Sequence, residues 1–298
     1  MKEYLVLDIG GSAIKFALIQ EDLTILEKSS VPSPLESMAQ FLEVIGGLYD
    51  QYASHISGIA ISMPGIIDPE RGFNYTGGAL HYIVNTETVS ILQQRCPVPI
   101  TIGNDAKCAA NAEIGFGNLK DIQDGAVVIL GTGIGGCLVK DHQVHTGRHF
   151  SAGEFSSIKT HCLEAENNQW SWAVRNGIAG LLNRVQEKLG TEEKLTGHEI
   201  FAMANEGNQA VIEAVDQFAK EVAIQIFNIH VIFDCEKVAI GGGISAQPLL
   251  LALIQKNFDE IFANLGFELA KPEIVPCKFR NDANLIGALY QHLETFNK

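Results

Sequence analysis

Two glycine-rich turns, each directly behind an apolar run, constrain this chain more than any other feature. The first, Asp8-Ile9-Gly10-Gly11-Ser12, closes a strand predicted over Glu3–Asp8 and leads into a second strand over Ile14–Ile19. The second, Gly131-Thr132-Gly133-Ile134-Gly135-Gly136, closes Ala126–Leu130 and leads into Cys137–Lys140. Glycine between two apolar runs reverses the chain into a hairpin. The same device begins twice, at Asp8 and again at Gly131. Each copy opens its own half, so the expectation is two related α/β domains with a cleft between them.

The remaining pattern fits that frame. Behind the first hairpin come a strand over Leu23–Val31, a helix over Leu35–Tyr52, a strand over Ile56–Ser62 and a helix over Thr88–Gln94. A strand over Val98–Gly103 and a helix from about Ala106 to Glu113 complete an alternating α/β series. Helices over Ile178–Leu189, His198–Asn205, Asn208–Phe233, Leu249–Phe262 and Asp282–Phe296 dominate the second half, with a short strand over Lys237–Ile240 before Gly241-Gly242-Gly243. Gly115-Phe116-Gly117 reads as the crossing. The domains are therefore expected at 1–116, completed by the helix 282–298, and at 117–281.

Composition narrows the function. With 298 residues, 46% of them hydrophobic, the chain can bury a real core. A formal net charge of −14 disfavours nucleic acid and anionic membrane surfaces as partners. No apolar run approaches a membrane span and no secretory leader is present, so a cytoplasmic protein is expected. The cysteines at 96, 108, 137, 162, 235 and 277 form no Cys-x-x-Cys pair and read as buried small hydrophobes.

Three glycine turns follow strands: Gly10-Gly11, Gly131 to Gly136, and Gly241 to Gly243. Glycine lets backbone N–H groups approach phosphate oxygens, and it also serves any tight hairpin. Neither a Walker A loop nor a dinucleotide fingerprint is present. Asp8, at the end of its strand, could hold magnesium or orient phosphates, or could simply form the turn. Lys15 could neutralise phosphate or sit on a solvated face. Asn104-Asp105 stands where a strand gives way to a helix, at the sheet edge where α/β proteins bind ligands. Both residue types are also favoured helix caps. In phosphoryl transfer to an alcohol, one carboxylate accepts the hydroxyl proton, and Asp105 suits that task. Glu154 and Glu164 are the further carboxylates nominated to grip a polyol.

These residues resemble the ROK family (repressors, open reading frames, kinases) of the actin/hexokinase-like fold, along essentially the whole chain. Asp8-Ile-Gly-Gly-Ser-Ala-Ile-Lys15 is similar to the family's first phosphate motif, implying ATP contacts at Asp8, Gly10, Gly11, Ser12 and Lys15. Met63-Pro64-Gly65-Ile66-Ile67-Asp68 looks like its Pro-Gly-x-x-Asp loop. Asn104-Asp105-Ala106 matches the segment whose Asp is the family's catalytic base. Gly131, Thr132, Gly133 and Gly135 match the second phosphate motif, and Gly242 and Gly243 the adenosine loop. The resemblance implies two ribonuclease H-like domains, an ATP- and Mg2+-dependent sugar kinase, and a homodimer.

Departures from the family pattern refine this. Where relatives have Gly-Glu-x-Gly-His, this chain has Gly153-Glu154-Phe155-Ser156-Ser157, so the histidine that contacts sugar and zinc is replaced by Ser157. Where the family continues with Cys-x-Cys-Gly-x-x-Gly-Cys-Leu-Glu, only His161-Cys162-Leu163-Glu164 remains here, so no structural zinc site is expected. His142, His145 and His149 lie near one another, with Asp141–His145 reading as a hairpin turn. In place of Asn-Leu-x-Gly-Trp stands Tyr75-Thr76-Gly77-Gly78-Ala79-Leu80. These features resemble the family's β-glucoside kinases, which phosphorylate the 6-hydroxyl of the non-reducing glucose of cellobiose and similar glucosides. Sugar contacts are then implied at Gly77, Gly78, Ala79, Asn104, Asp105, Glu154 and Glu164. Glucokinase and N-acetylmannosamine kinase are the alternatives. A sugar-responsive repressor of the same family is disfavoured, because strand one begins by residue 4 and no helix-turn-helix precedes it.

Overall fold

The computed structural model describes residues 1–296. In chain order the elements are β1 (Glu3–Ile9), β2 (Ala13–Gln20), β3 (Ile25–Pro32), α1 (Met38–Tyr52), β4 (Ile56–Met63), β5 (Ile67–Asp68), β6 (Phe73–Asn74), α2 (Thr88–Arg95), β7 (Ile100–Asn104) and α3 (Asp105–Phe116). There follow β8 (Gly125–Leu130), β9 (Ile134–Lys140), β10 (Gln143–His145), α4 (Trp172–Asn176), α5 (Ile178–Leu189) and α6 (Gly197–Asn205). The last are α7 (Gln209–Phe233), β11 (Lys237–Gly241), α8 (Pro248–Ala263), β12 (Glu273–Pro276) and α9 (Ala283–Phe296). Two compact units result. One comprises Met1–Gly117, Gly147–Ser151 and, from Asp282, the C-terminal helix; the other comprises Asn118–Thr146 and Ala152–Asn281.

In the first unit the sheet runs β3-β2-β1-β4-β7. The first three strands are antiparallel neighbours, whereas β1, β4 and β7 are mutually parallel. Tyr4 to Ile9 are all buried, as a strand covered on both faces must be. Side chains alternate along it. Leu5, Leu7 and Ile9 join a cluster with Phe41 and Ile45 of α1. Tyr4 faces the other way and meets His292 of α9 edge-on, with ring centroids 5.3 Å apart. Asp8 shares the face of Tyr4, so the pleat turns it towards α9. That helix lies close against α3, since a Cβ at Gly287 would fall 1.6 Å from the Cys108 carbonyl oxygen.

The second unit's sheet runs β10-β9-β8-β11-β12, with β8, β11 and β12 parallel. Its core sets Val128, Leu130 and Ile240 against Val222 and Ile226 of α7. Asn208 caps α7, its side chain accepting from Val211 N, and Asp234 ends the helix in a left-handed conformation. A capping box of Thr196 and Glu199 starts α6.

Several boundaries differ from the sequence expectation. The third strand begins at Ile25, because Leu23 adopts φ 70° and its N–H closes a turn on Gln20. The first helix begins at Met38, because the Ser37 side chain caps it by accepting from Gln40 N. The second hairpin is tighter than expected: β9 starts at Ile134, with Gly135 opposite Ile129 and Gly136 opposite Val128. His145, expected in a turn, lies on β10. The five-residue α4 and the four-residue β12 had no clear periodic signal. Among the described residues no helix is long and apolar enough to cross a membrane. The cysteines are free; Cys96, Cys108, Cys137 and Cys235 are buried, Cys277 is partly buried and Cys162 is exposed. Burial pushes the Cys235 thiol up to about 12.

His292 gives the first unit a pH signature. Its Nδ1 lies 3.0 Å from Thr101 Oγ1, and Gly58 leaves room for the ring. Burial lowers its pKa from 6.5 to about 4. Below about pH 6.5 the unfolded chain takes up this proton while the folded chain does not, so stability falls as pH drops towards about 4 and is complete above 6.5. His292→Gln should melt lower at pH 7, and its melting temperature should decline less steeply than wild type between pH 6.5 and 4.5. Equal slopes in the two proteins would exclude His292 as a source of acid sensitivity.

Candidate active site

The parallel strands of the first unit bring the candidate carboxylates to one sheet edge. Asp8 pairs in register with Ser62, Ser62 with Gly103, and Met63 with Asn104. The carboxyl ends of β1, β4 and β7 are therefore level, and at the usual strand spacing the ends of β1 and β7 are about 10 Å apart.

Asp8 is only 8% exposed. A carboxylate so placed needs partners. Its Oδ1 accepts from Ser62 Oγ at 3.2 Å and from Asn284 Nδ2 at 2.9 Å, and its Oδ2 lies 3.7 Å from Lys15 Nζ. Lys15 stands opposite Asp8 on β2, its side chain 48% exposed. Lys15 thus lies on a half-solvated face, where it pairs with Asp8. The intervening turn closes through Gly10 N to Ala13 O at 3.0 Å.

At the end of β7 the Asn104-Asp105 pair divides its work. Asn104 is the N-cap of α3, its Oδ1 accepting from Lys107 N at 3.2 Å. Its Nδ2 donates to the Gly65 carbonyl at 3.1 Å. Asp105 is the first residue of α3 and is partly exposed; its Oδ1 accepts from Ala106 N at 2.8 Å. Asn104 is therefore the N-cap, and Asp105 adds a second side-chain acceptor in the first turn of α3.

The bond from Asn104 to Gly65 ties down the loop between β4 and β5, and Ile66 N of that loop donates to Thr76 Oγ1 at 3.0 Å, beside Gly77, Gly78 and Ala79. This second loop needs its glycines for its own backbone. Gly78 has φ 57°, and a Cβ there would come 2.7 Å from Pro64 Cβ; at Gly77 it would come 2.5 Å from Leu80 O. Ala79 is exposed, and its Cβ lies 3.5 Å from where a Cβ on Gly11 would stand. The expected sugar loop and the Gly10-Gly11 turn are neighbours.

In the second unit the other two glycine turns also share an edge. The turn Gly131–Gly133 closes through Gly131 N to Gly133 O at 3.0 Å, and Ile178 N at the start of α5 donates to Gly131 O at 2.9 Å. Gly242 has φ 93°, and a Cβ there would come 2.1 Å from Leu130 O. Packing therefore demands glycine at 242. No such demand exists at Gly131 or Gly243, which have nothing within 4 Å but the Gly133 carbonyl at 4.0 Å, nor at Gly133 and Gly11, whose nearest neighbours are 3.5 Å away.

Glu154 is held by its neighbours. Gly153 takes φ 81° and presses on β9, where a Cβ would come 2.9 Å from Cys137 Cα, and Phe155 fills the space over Gly136. Glu164 is exposed and accepts from Trp170 Nε1 at 2.7 Å. His161 stacks on the same indole, centroids 4.6 Å apart. Among the described residues no three His, Cys, Asp or Glu side chains converge on a possible metal position. His142 Nδ1 instead lies 2.9 Å from Ile122 O, and His149 belongs to the Gly147–Ser151 segment of the first unit.

Sequence reasoning passed over Ser62 and Asn284, both partners of Asp8. Ser62 had a faint signal, a lone hydroxyl ending an apolar strand. Asn284 had none, since it lies 276 positions along the chain from Asp8.

Comparison with known proteins follows the same lines. The sequence profile of the ROK family matches residues 4–294. A β-glucoside kinase of Klebsiella pneumoniae is 31% identical over 287 residues, covering 95% of this chain and 93% of its own length. A β-glucoside kinase of Listeria monocytogenes is 28% identical, covering 98% and 97%. The crystal structure of a ROK family protein from Streptococcus pneumoniae in complex with sucrose superposes with a TM-score of 0.87 at 30% identity, covering 99% of each chain.

Gly242 and Gly243 should respond differently to an added Cβ. Gly242→Ala should lower the melting temperature by several degrees, whereas Gly243→Ala should melt like wild type yet gain less stability from added ATP. Equal melting of the two variants, or an undiminished ATP effect in Gly243→Ala, would contradict it.

Proposed function

This chain belongs to the ROK family and is an ATP-dependent sugar kinase, and from that premise we propose that it phosphorylates the 6-hydroxyl of a β-glucoside such as cellobiose. The observation that carries the site assignment is the division of labour at the end of β7. Asn104 satisfies the helix start and anchors the Gly65 loop, while Asp105 remains a partly exposed carboxylate at a ligand-binding edge.

In the proposed reaction the Asp105 carboxylate accepts the proton of the sugar hydroxyl as its oxygen attacks the γ-phosphorus. The bond from that phosphorus to the β–γ bridging oxygen breaks, and ADP leaves. In this reading Asn104, Gly77, Gly78 and Ala79 of the first unit contact the sugar, and sugar-binding roles are proposed for Glu154 and Glu164 of the second. The Gly10-Gly11-Ser12, Gly131–Gly133 and Gly242-Gly243 turns receive the nucleotide through backbone N–H groups. The chemistry of Asp8 fits Mg2+, which is commonly held by one or two carboxylates plus substrate phosphates. The ion would neutralise charge on the phosphates, and Asp8 is the residue that would hold it, with Lys15 beside it.

The two β-glucoside kinases support the glucoside as acceptor, as does a relative crystallised with a disaccharide. Small, exposed side chains at Ala79 and Ser157 support room for an aglycone. Use of ATP supports a cytoplasmic site of action. The outward apolar face of α7, where Ile232 is 85% exposed, supports a homodimer.

A kinase assay over glucose, N-acetylmannosamine, fructose, cellobiose and gentiobiose tests the acceptor. Cellobiose or gentiobiose should give a kcat/KM at least about tenfold above any free monosaccharide, a margin of ~1.4 kcal/mol in transition-state binding. Activity confined to monosaccharides would defeat the glucoside reading and favour a glucokinase or N-acetylmannosamine kinase.

A further inference from the structure

Asp8 lies at the end of β1, yet one of its two hydrogen-bond donors comes from the opposite end of the chain. Asn284, in the first turn of α9, directs Nδ2 to Asp8 Oδ1 at 2.9 Å. Ser62 Oγ donates to the same oxygen at 3.2 Å. Both donors therefore converge on Oδ1, and Oδ2 is the oxygen that faces Lys15, at 3.7 Å. A carboxylate with both donors on one oxygen is locked in rotation, and its second oxygen is aimed.

The remaining bonds of α9 show that the donor is itself fixed. Asp282, just ahead of the helix, pairs with Lys28 of β3. Gln291 Nε2 donates to Ile102 O at 2.9 Å, and His292 meets Thr101 at 3.0 Å, both on β7. Gly287 allows α9 to touch the backbone of α3 at Cys108. The same helix thus braces the strand that carries Asp8 and the strand and helix that present Asp105.

We propose that Asn284 is a positioning residue for the reaction: it holds the Asp8 carboxylate so that Oδ2 meets the nucleotide-bound Mg2+. The inference rests on the reading of Asp8 as the group for Mg2+ and phosphate. Outer partners that orient a metal-binding carboxylate affect metal affinity by about 10- to 100-fold. Removing this donor leaves Ser62 alone on Oδ1, and the carboxylate can then turn.

Calorimetric titration of the full-length protein with ADP, with and without Mg2+ and without sugar, tests this apart from turnover. Asn284→Ala should reduce the Mg2+-dependent gain in ADP affinity by roughly tenfold, and leave metal-free ADP affinity and sugar affinity near wild type. Asn284→Leu keeps the volume without the donor, should behave alike, and serves if the alanine variant is unstable. Asp8→Asn should abolish the Mg2+-dependent gain, and adding Asn284→Ala to it should change nothing further. An unchanged Mg2+-dependent gain in both Asn284 variants, beside its loss in Asp8→Asn, would overturn the inference and leave the reading of Asp8 intact. An unchanged gain in Asp8→Asn would remove the reading of Asp8 itself. Equal losses in metal-free ADP affinity, sugar affinity and melting temperature would make Asn284 merely structural and overturn the inference as well.

Discussion

A buried carboxylate at the end of an apolar strand must be satisfied, and the way Asp8 is satisfied organises the first unit. Its partners come from β4, β2 and α9, so the two strands that flank β1 and the helix packed on its Asp8 face meet at one side chain. Parallel pairing of β1, β4 and β7 sets the other half of the arrangement. Because the register is level, the residues that follow the strands emerge side by side: Gly10 and Gly11 after β1, the Gly65 loop after β4, Asp105 after β7. A one-residue slip of β7 would exchange the faces of Asn104 and its neighbours. The cap, and with it the exposure of Asp105, would go.

The second unit reaches a similar edge from different residues. Leu130 and Gly241 end neighbouring parallel strands, and the turns beyond them are glycine for two distinct reasons. Gly242 answers to the Leu130 carbonyl and to its own positive φ, whereas Gly131 and Gly243 answer to no crowding by the protein. That contrast separates a glycine the fold requires from glycines it does not. The clean helices of this unit then supply the core, with α7 as its long central element.

Much of this was legible in the amino-acid order. The hairpins at Gly10 and Gly131, the strand-end position of Asp105 and the amphipathic stripe of α7 each follow from local period and turn chemistry. What stayed hidden was non-local or marginal. Asn284 is an ordinary helix residue until the pleat of β1 turns Asp8 towards it. The split between Asn104 and Asp105 depended on which of the two ends the strand, and the expected boundary at Gly103 left that open. The start of β9 was misplaced because Gly135 and Gly136 look like turn residues, although they pair with Ile129 and Val128. Glycine at 136 answers to Phe155, which fills the space above it and so sets the place of Glu154.

The central claim is that Asp105 takes the acceptor's proton while the groups around Asp8 and the glycine turns hold the nucleotide. Steady-state kinetics of Asp105→Asn beside its ATP affinity test this most directly, since the substitution keeps shape and removes the base. The account predicts turnover lower by orders of magnitude, roughly 10²- to 10⁴-fold, with ATP affinity close to wild type. Turnover near that of wild type would contradict it.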